Sequence, residues 1–384
     1  MDKKFIIPFA LTLVAATFTG CSSNKATKEE KIKPSKLPKL VQSKQLVPVF
    51  SQHVAATNKH DDLRFQIAVD NGTLFIANPK GYVEAFKGKQ RLWSTKTTKQ
   101  YGLSAGVTAA EGIAVVGDQK GQLFALDQTT GQIKWTAQLS GAIIAASHIQ
   151  AGRVITVSND GNVYAHDVET GQQLWTYRLP NVPLSLRGQA SPVRLDANNV
   201  LIATSNAYIY AIDVISGVPR LQRRVAVAEG RSDVQRINDI DGNPVMIGQF
   251  MITTSYQGQV TVTDLAQQQV VWSDDASSNQ TPAVTQSKVF ITTTEGKVIA
   301  YDLMTGQKLW QNDQLLHRKL SNPVLLGSDL VVGDYDGVLS LIDPNTGSLI
   351  GRSNTKGQVT SLHVEDNQLY VSTQKGALSV WQNR

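Results

Sequence analysis

The chain has 384 residues, 41% of them hydrophobic and 18% charged, the balance of a soluble globular body, which excludes a disordered chain. Its net charge of +6 would suggest a nucleic-acid partner, but residues 21–44 carry +5 of it (seven lysines against Glu29 and Glu30) and residues 1–20 carry +1, leaving zero for residues 45–384. A nucleic-acid footprint on the body is therefore not supported, and with Cys21 as the only cysteine an internal disulfide is excluded.

At the N-terminus, Lys3 and Lys4 precede an apolar run from Phe5 to Phe18 and then Thr19-Gly20-Cys21. A positive start, a short apolar run and a small residue before the cut describe an export signal, too short for a secure membrane span. The segment resembles a bacterial lipobox, with Phe18 where a leucine is usual. That resemblance implies diacylation of Cys21 on sulfur as the mature N-terminus. Ser22, standing where an aspartate would favour inner-membrane retention, implies sorting to the outer membrane and a body facing the periplasm. The expected organisation is a signal over 1–20, a Pro- and Lys-bearing tether over 21–45 and one folded body over 46–384.

The body is built on a repeat, seen most clearly in GDQKGQLFALDQTTGQIKW, Gly117 to Trp135. Turn sites recur at Gly81, Gly121, Gly161, Ala207, Gly258, Gly296, Gly337 and Gly376, at spacings of 40, 40, 46, 51, 38, 41 and 39. Six residues on comes Asp127, Asp167, Asp213, Asp264, Asp302 or Asp343; a second glycine follows at 131, 171, 217, 306 and 347; and Trp135, Trp175, Trp272 and Trp310 close the unit, with Trp93 two places early. Eight copies of about 40 residues with short alternating strands predict an all-β, eight-bladed β-propeller with four-stranded antiparallel blades. Glycine serves turns that need positive φ, Asp before Thr-Gly accepts hydrogen bonds from its own turn, and the tryptophan packs between blades. The last copy ends at Arg384 one strand short, and Val47 to Val54 has strand character without a blade, so it is expected to pair beside the last strand and close the ring.

Two spacings are long. Added residues fall after Trp175, in YRLPNVPLSLRGQASPVRL, and before the fifth copy, in RLQRRVAVAEGRSDVQRINDIDGNP. Both occupy the connection from one blade's outer strand to the next blade's inner strand, so they are expected on one face as neighbours. Leu184 and Leu186 share a side of an extended backbone, with Arg187 next to them; Asp239 and Asp241 have the same spacing. Such a set suits an interface with an apolar centre and directional polar contacts, but it equally suits leucines folded under a loop and Arg187 paired internally with either aspartate.

The lipobox, the eight-copy propeller and the segments PLSLRGQASP, RINDIDGNP and DQLLHRKLSNPVLLGSDLVVGDYDG together resemble the BamB family, propeller lipoproteins of the outer-membrane β-barrel assembly (BAM) machinery. The resemblance spans essentially the whole mature chain. It implies a non-catalytic scaffold with no cofactor, bound to the periplasmic POTRA domains of BamA and to other BAM subunits, anchored in the outer membrane and supporting delivery, folding and insertion of barrel proteins. The family's contacts to BamA fall, position by position, on Leu184, Leu186, Arg187, Asp239 and Asp241. Unfolded outer-membrane clients are further partners, which exposed strand edges would suit.

The blade motif is shared with eight-bladed quinoprotein (PQQ-dependent) dehydrogenases, and a periplasmic propeller could also bind an envelope glycan through its central funnel. The enzymes often carry a vicinal cysteine pair, which is absent, and hold calcium. Asn159-Asp160-Gly161 and Asp334-Tyr335-Asp336-Gly337 have carboxylates suited to that ion, but both fall on the repeated turn, where turn chemistry suffices. No H-E-x-x-H or phosphate-loop motif occurs, and the six histidines are dispersed.

Overall fold

A computed structural model describes residues 33–54, 65–98, 102–180, 190–204, 206–225, 240, 242–256 and 258–384. Residues from Pro34 onward form one compact unit. Their strands make eight four-stranded antiparallel sheets, the blades of a β-propeller. Blade 1 comprises Ala68–Asp70, Thr73–Ala77, Tyr82–Lys87 and Gln90–Lys96, and blades 2 to 7 repeat that order along the chain. Blade 8 takes three strands from the C-terminus and its outer strand from Leu46–His53. This closing strand pairs antiparallel with Ala377–Asn383, from Leu46 opposite Asn383 to His53 opposite Ala377. It also bridges two interfaces: Leu46 enters the apolar cluster between blades 7 and 8, while Phe50 and Val54 enter the cluster between blades 8 and 1. Ring closure is thus as the sequence suggests.

The alternation expected along Leu123 to Leu126 is absent, because all four residues are buried. A blade has a neighbour on each side, so both faces of its middle strands are covered and the apolar run becomes continuous. Alternation survives only on outer strands such as Gln173–Arg178.

The repeat's residues act between blades. Asp127 accepts from the Thr129 and Thr130 N–H groups and from the Thr130 hydroxyl, and Asp167, Asp213 and Asp302 repeat the arrangement. The next glycine lies under the preceding blade's indole: a Cβ on Gly171 would fall 2.6 Å from Trp135, and Gly131, Gly217, Gly306 and Gly347 stand the same way to Trp93, Trp175, Trp272 and Trp310. Each of these indoles donates to a carbonyl three residues before that glycine, as Trp135 does to Val168 at 3.0 Å. Opposite Trp93, Trp135, Trp175 and Trp310 stands an alanine beside a bulge, as in the Ala125–Trp135 and Ala165–Trp175 pairs. Ala207, the degenerate turn site, keeps the left-handed backbone of its glycine counterparts, with φ of 61°.

Ahead of the closing strand, the last part of the expected tether makes contacts of its own. The Ser35 N–H donates to the Leu316 carbonyl, Leu37 and Leu40 pack on a core cluster of blades 6 and 7, and Lys44 pairs with Asp329 at 2.6 Å.

Candidate docking face

In an antiparallel four-strand blade, the connection from the outer strand to the next inner strand leaves on the face that carries the second-to-third-strand turn. The other two turns lie on the opposite face. Both insertions therefore emerge on one face, between blades 3 and 4 and between blades 4 and 5.

The proposed contact residues Leu184, Leu186, Arg187, Asp239 and Asp241 lie outside the described residues, as does Cys21. The bases of the two insertions are described, and they meet. The Ser191 N–H, at the end of the first, donates to Asn243 Oδ1 at 2.8 Å at the end of the second. The Asn243 N–H in turn donates to Thr281 Oγ1 at 3.0 Å in the following connection. Beneath them Ala190 and Ile240, the latter 2% exposed, share a cluster with Leu201, Ile209, Val225 and Met251. Gly242 allows this approach, since a Cβ there would lie 2.4 Å from the Gln280 carbonyl oxygen. Sequence reasoning found the neighbourhood but missed Ile240 and Asn243. The available signal was an isolated apolar residue between two aspartates, whose burial plugs the loop to the core.

Farther round the same face, Arg318 occupies the connection between blades 6 and 7. Its side chain is 5% exposed and donates through Nε to Asp334 at 2.7 Å and through Nη2 to Asp336 at 2.9 Å, with the Tyr335 ring 5.0 Å away. Its neighbours His317 and Lys319 both take positive φ, a strained backbone that the buried ion pair holds in place.

The two turns with calcium-like carboxylates are occupied by local bonds. Asp334 accepts from the Asp336 and Val338 N–H groups besides Arg318. Asp160 accepts from Ser140, Ser158 and Asn162; burial would raise its pKa, and these donors together hold it below the usual carboxylate value. Among the described residues, no group of three or more His, Cys, Asp or Glu side chains is arranged to hold a metal ion.

Known proteins share this sequence pattern and this fold. A family model for the outer membrane protein assembly factor BamB matches residues 79–312. The BamB of Burkholderia pseudomallei is 31% identical over 380 residues, covering 98% of this chain and 97% of that protein. The crystal structure of BamB from Moraxella catarrhalis superposes with a TM-score of 0.81 at 33% identity, over 88% of this chain and 99% of that one. A europium-containing methanol dehydrogenase, at 14% identity and a TM-score of 0.70 over 85% of this chain and 84% of its own, shares the propeller architecture alone. The chain belongs to the BamB family, the non-catalytic scaffold lipoproteins of the outer-membrane BAM complex.

Proposed function

We propose that the protein docks on the periplasmic POTRA domains of BamA through the two adjoining insertions. Leu184 and Leu186 form the apolar centre, and Arg187, Asp239 and Asp241 make the directional polar contacts. The observation that carries this reading is the Ser191–Asn243 bond, which ties the two loop bases together above a shared apolar plug. Loops held at their base by a rigid scaffold lose less freedom on binding than free ones.

In this reading, residues 1–20 are a cleaved signal, Cys21 carries the lipid and the chain after it tethers a periplasm-facing body to the outer membrane. The scaffold acts by holding BamA and client barrels together, with no covalent step. A pull-down from envelope extracts, read by mass spectrometry, compares the intact body with one altered in both loops (Leu184→Ala, Leu186→Ala, Asp239→Ala, Asp241→Ala). BamA should be recovered with the first and be depleted with the second. Equal recovery would place the contact elsewhere on the body.

A further inference from the structure

Blade 7 breaks the repeat without any insertion. Where blades 2, 3, 5 and 6 place Trp135, Trp175, Trp272 and Trp310, it has Gly351. A Cβ at this glycine would fall 2.2 Å from the Lys44 carbonyl oxygen, so backbone of the N-terminal segment fills the place of the missing side chain. The contacts run the height of the blade. The Ser35 N–H and Oγ donate to the Leu316 and Gln314 carbonyls, and Arg318 Nη1 donates to the Ser35 carbonyl at 3.0 Å. Leu37 and Leu40 pack against the cluster of Leu315, Leu320 and Leu349. Arg352 Nη1 donates to the Pro38 carbonyl at 2.7 Å, and the Ser43 and Lys44 N–H groups donate to the Ile350 carbonyl. Lys44 Nζ then reaches Asp329, whose side chain is 3% exposed, at the start of the blade's second strand.

Leu316 belongs to an outer-to-inner connection, on the face that carries the insertions; Asp329 opens the second strand of the blade, directly after the first-to-second-strand turn on the opposite face. We infer that residues 35–44 are a built strap that carries the chain from the opposite face, where the closing strand begins at Leu46, to the insertion face, and so orients the body on its anchor. The inference rests on the anchoring of Cys21 proposed above. An extended chain from Cys21 reaches at most about 50 Å to Ser35, but about 90 Å to Leu46 if the strap is released. Docking thus shortens the tether and changes the face from which it departs. A lipid surface that holds Cys21 is the partner this surface arrangement serves, with the insertion face kept toward it.

The test uses the full mature chain on vesicles of phosphatidylethanolamine and phosphatidylglycerol. Hydrogen exchange at Ser35, Ser43 and Lys44 should be at least about tenfold slower than in an unstructured peptide. A donor dye on Gln119→Cys, at a turn of the insertion face, should transfer more energy to an acceptor lipid than one on Thr129→Cys, at a turn of the opposite face. Gly351→Trp, which fills the strap's seat, and Leu37→Ser with Leu40→Ser, which leaves the blade intact, should each restore fast exchange and abolish the difference between dyes. Unprotected amides in the unaltered chain, or equal transfer from both dyes on sedimenting vesicles, would overturn the inference. Failure to sediment with vesicles would overturn the anchor and the orienting role with it, while exchange in solution still decides whether the strap docks.

Discussion

His166 is 2% exposed, stacked between Trp135 and Tyr164 at centroid distances of 6.2 Å each, with its Nδ1 buried and unpartnered. Burial pushes its pKa down to about 4. Its folded pKa lies below the unfolded value near 6.5, so the unfolded chain binds more protons between the two. Stability from this group is complete above about pH 6.5 and is lost as pH falls toward 4. His148 and His363 shift the same way, also chiefly by burial. The turn carboxylates of Asp127, Asp167, Asp264 and Asp302 are held below the usual carboxylate value by N–H groups of their own turns, and Asp213 is held at about 2, first by the Ser216 N–H and then by Arg220, so the stability these groups contribute is lost below that window. Chemical unfolding across that window should show a falling free energy. His166→Leu should remove on the order of 2 to 4 kcal/mol of the fall while leaving stability at pH 7.5 nearly unchanged. An unaltered slope would show that His166 is not kept neutral by the fold.

At the scale of the blade, stability rests on an exchange between neighbours, in which one blade's indole covers the next blade's turn glycine and donates to its turn carbonyl. Gly171 and Gly152 separate the two demands on such a glycine. Both have φ near 70°, but a Cβ on Gly171 would strike Trp135, whereas nothing lies within 4 Å of one on Gly152. Gly152→Ala should cost about 1 to 2 kcal/mol for its backbone alone. Gly171→Ala should cost a further 1 to 3 kcal/mol for displacing the indole, read as the difference in unfolding free energy. Equal losses would mean the indole seat contributes nothing. The sequence reveals this element well: Asp127, Gly131 and Trp135 in fixed register predict both the blade and its inter-blade packing, because every copy meets the same neighbour. It reveals less where a copy meets something unique. Gly351 reads as a lost tryptophan, and only the fold shows that Lys44, far away in sequence, takes its place. The end of the expected tether is obscure for the same reason: Leu37 and Leu40 among lysines and prolines have no period that announces a docked segment.

For the molecule as a whole, eight similar blades leave function to the positions where similarity fails. The insertions were legible because they lengthen two consecutive spacings, and topology alone puts consecutive outer-to-inner connections on one face. The clasp between them was not legible, since Ser191 and Asn243 are ordinary loop residues until the ring brings them together. The scaffold reading places docking at these loops and architecture everywhere else. It is tested most directly by calorimetric titration of purified BamA POTRA domains into the full mature chain and into its Leu184→Ala, Leu186→Ala, Arg187→Ala variant. If the loops form the interface centre, the variant should bind more weakly by about 1 to 4 kcal/mol, roughly 5- to 1,000-fold in Kd, with the Tm of the body unchanged. Undiminished affinity in a folded variant would contradict the account.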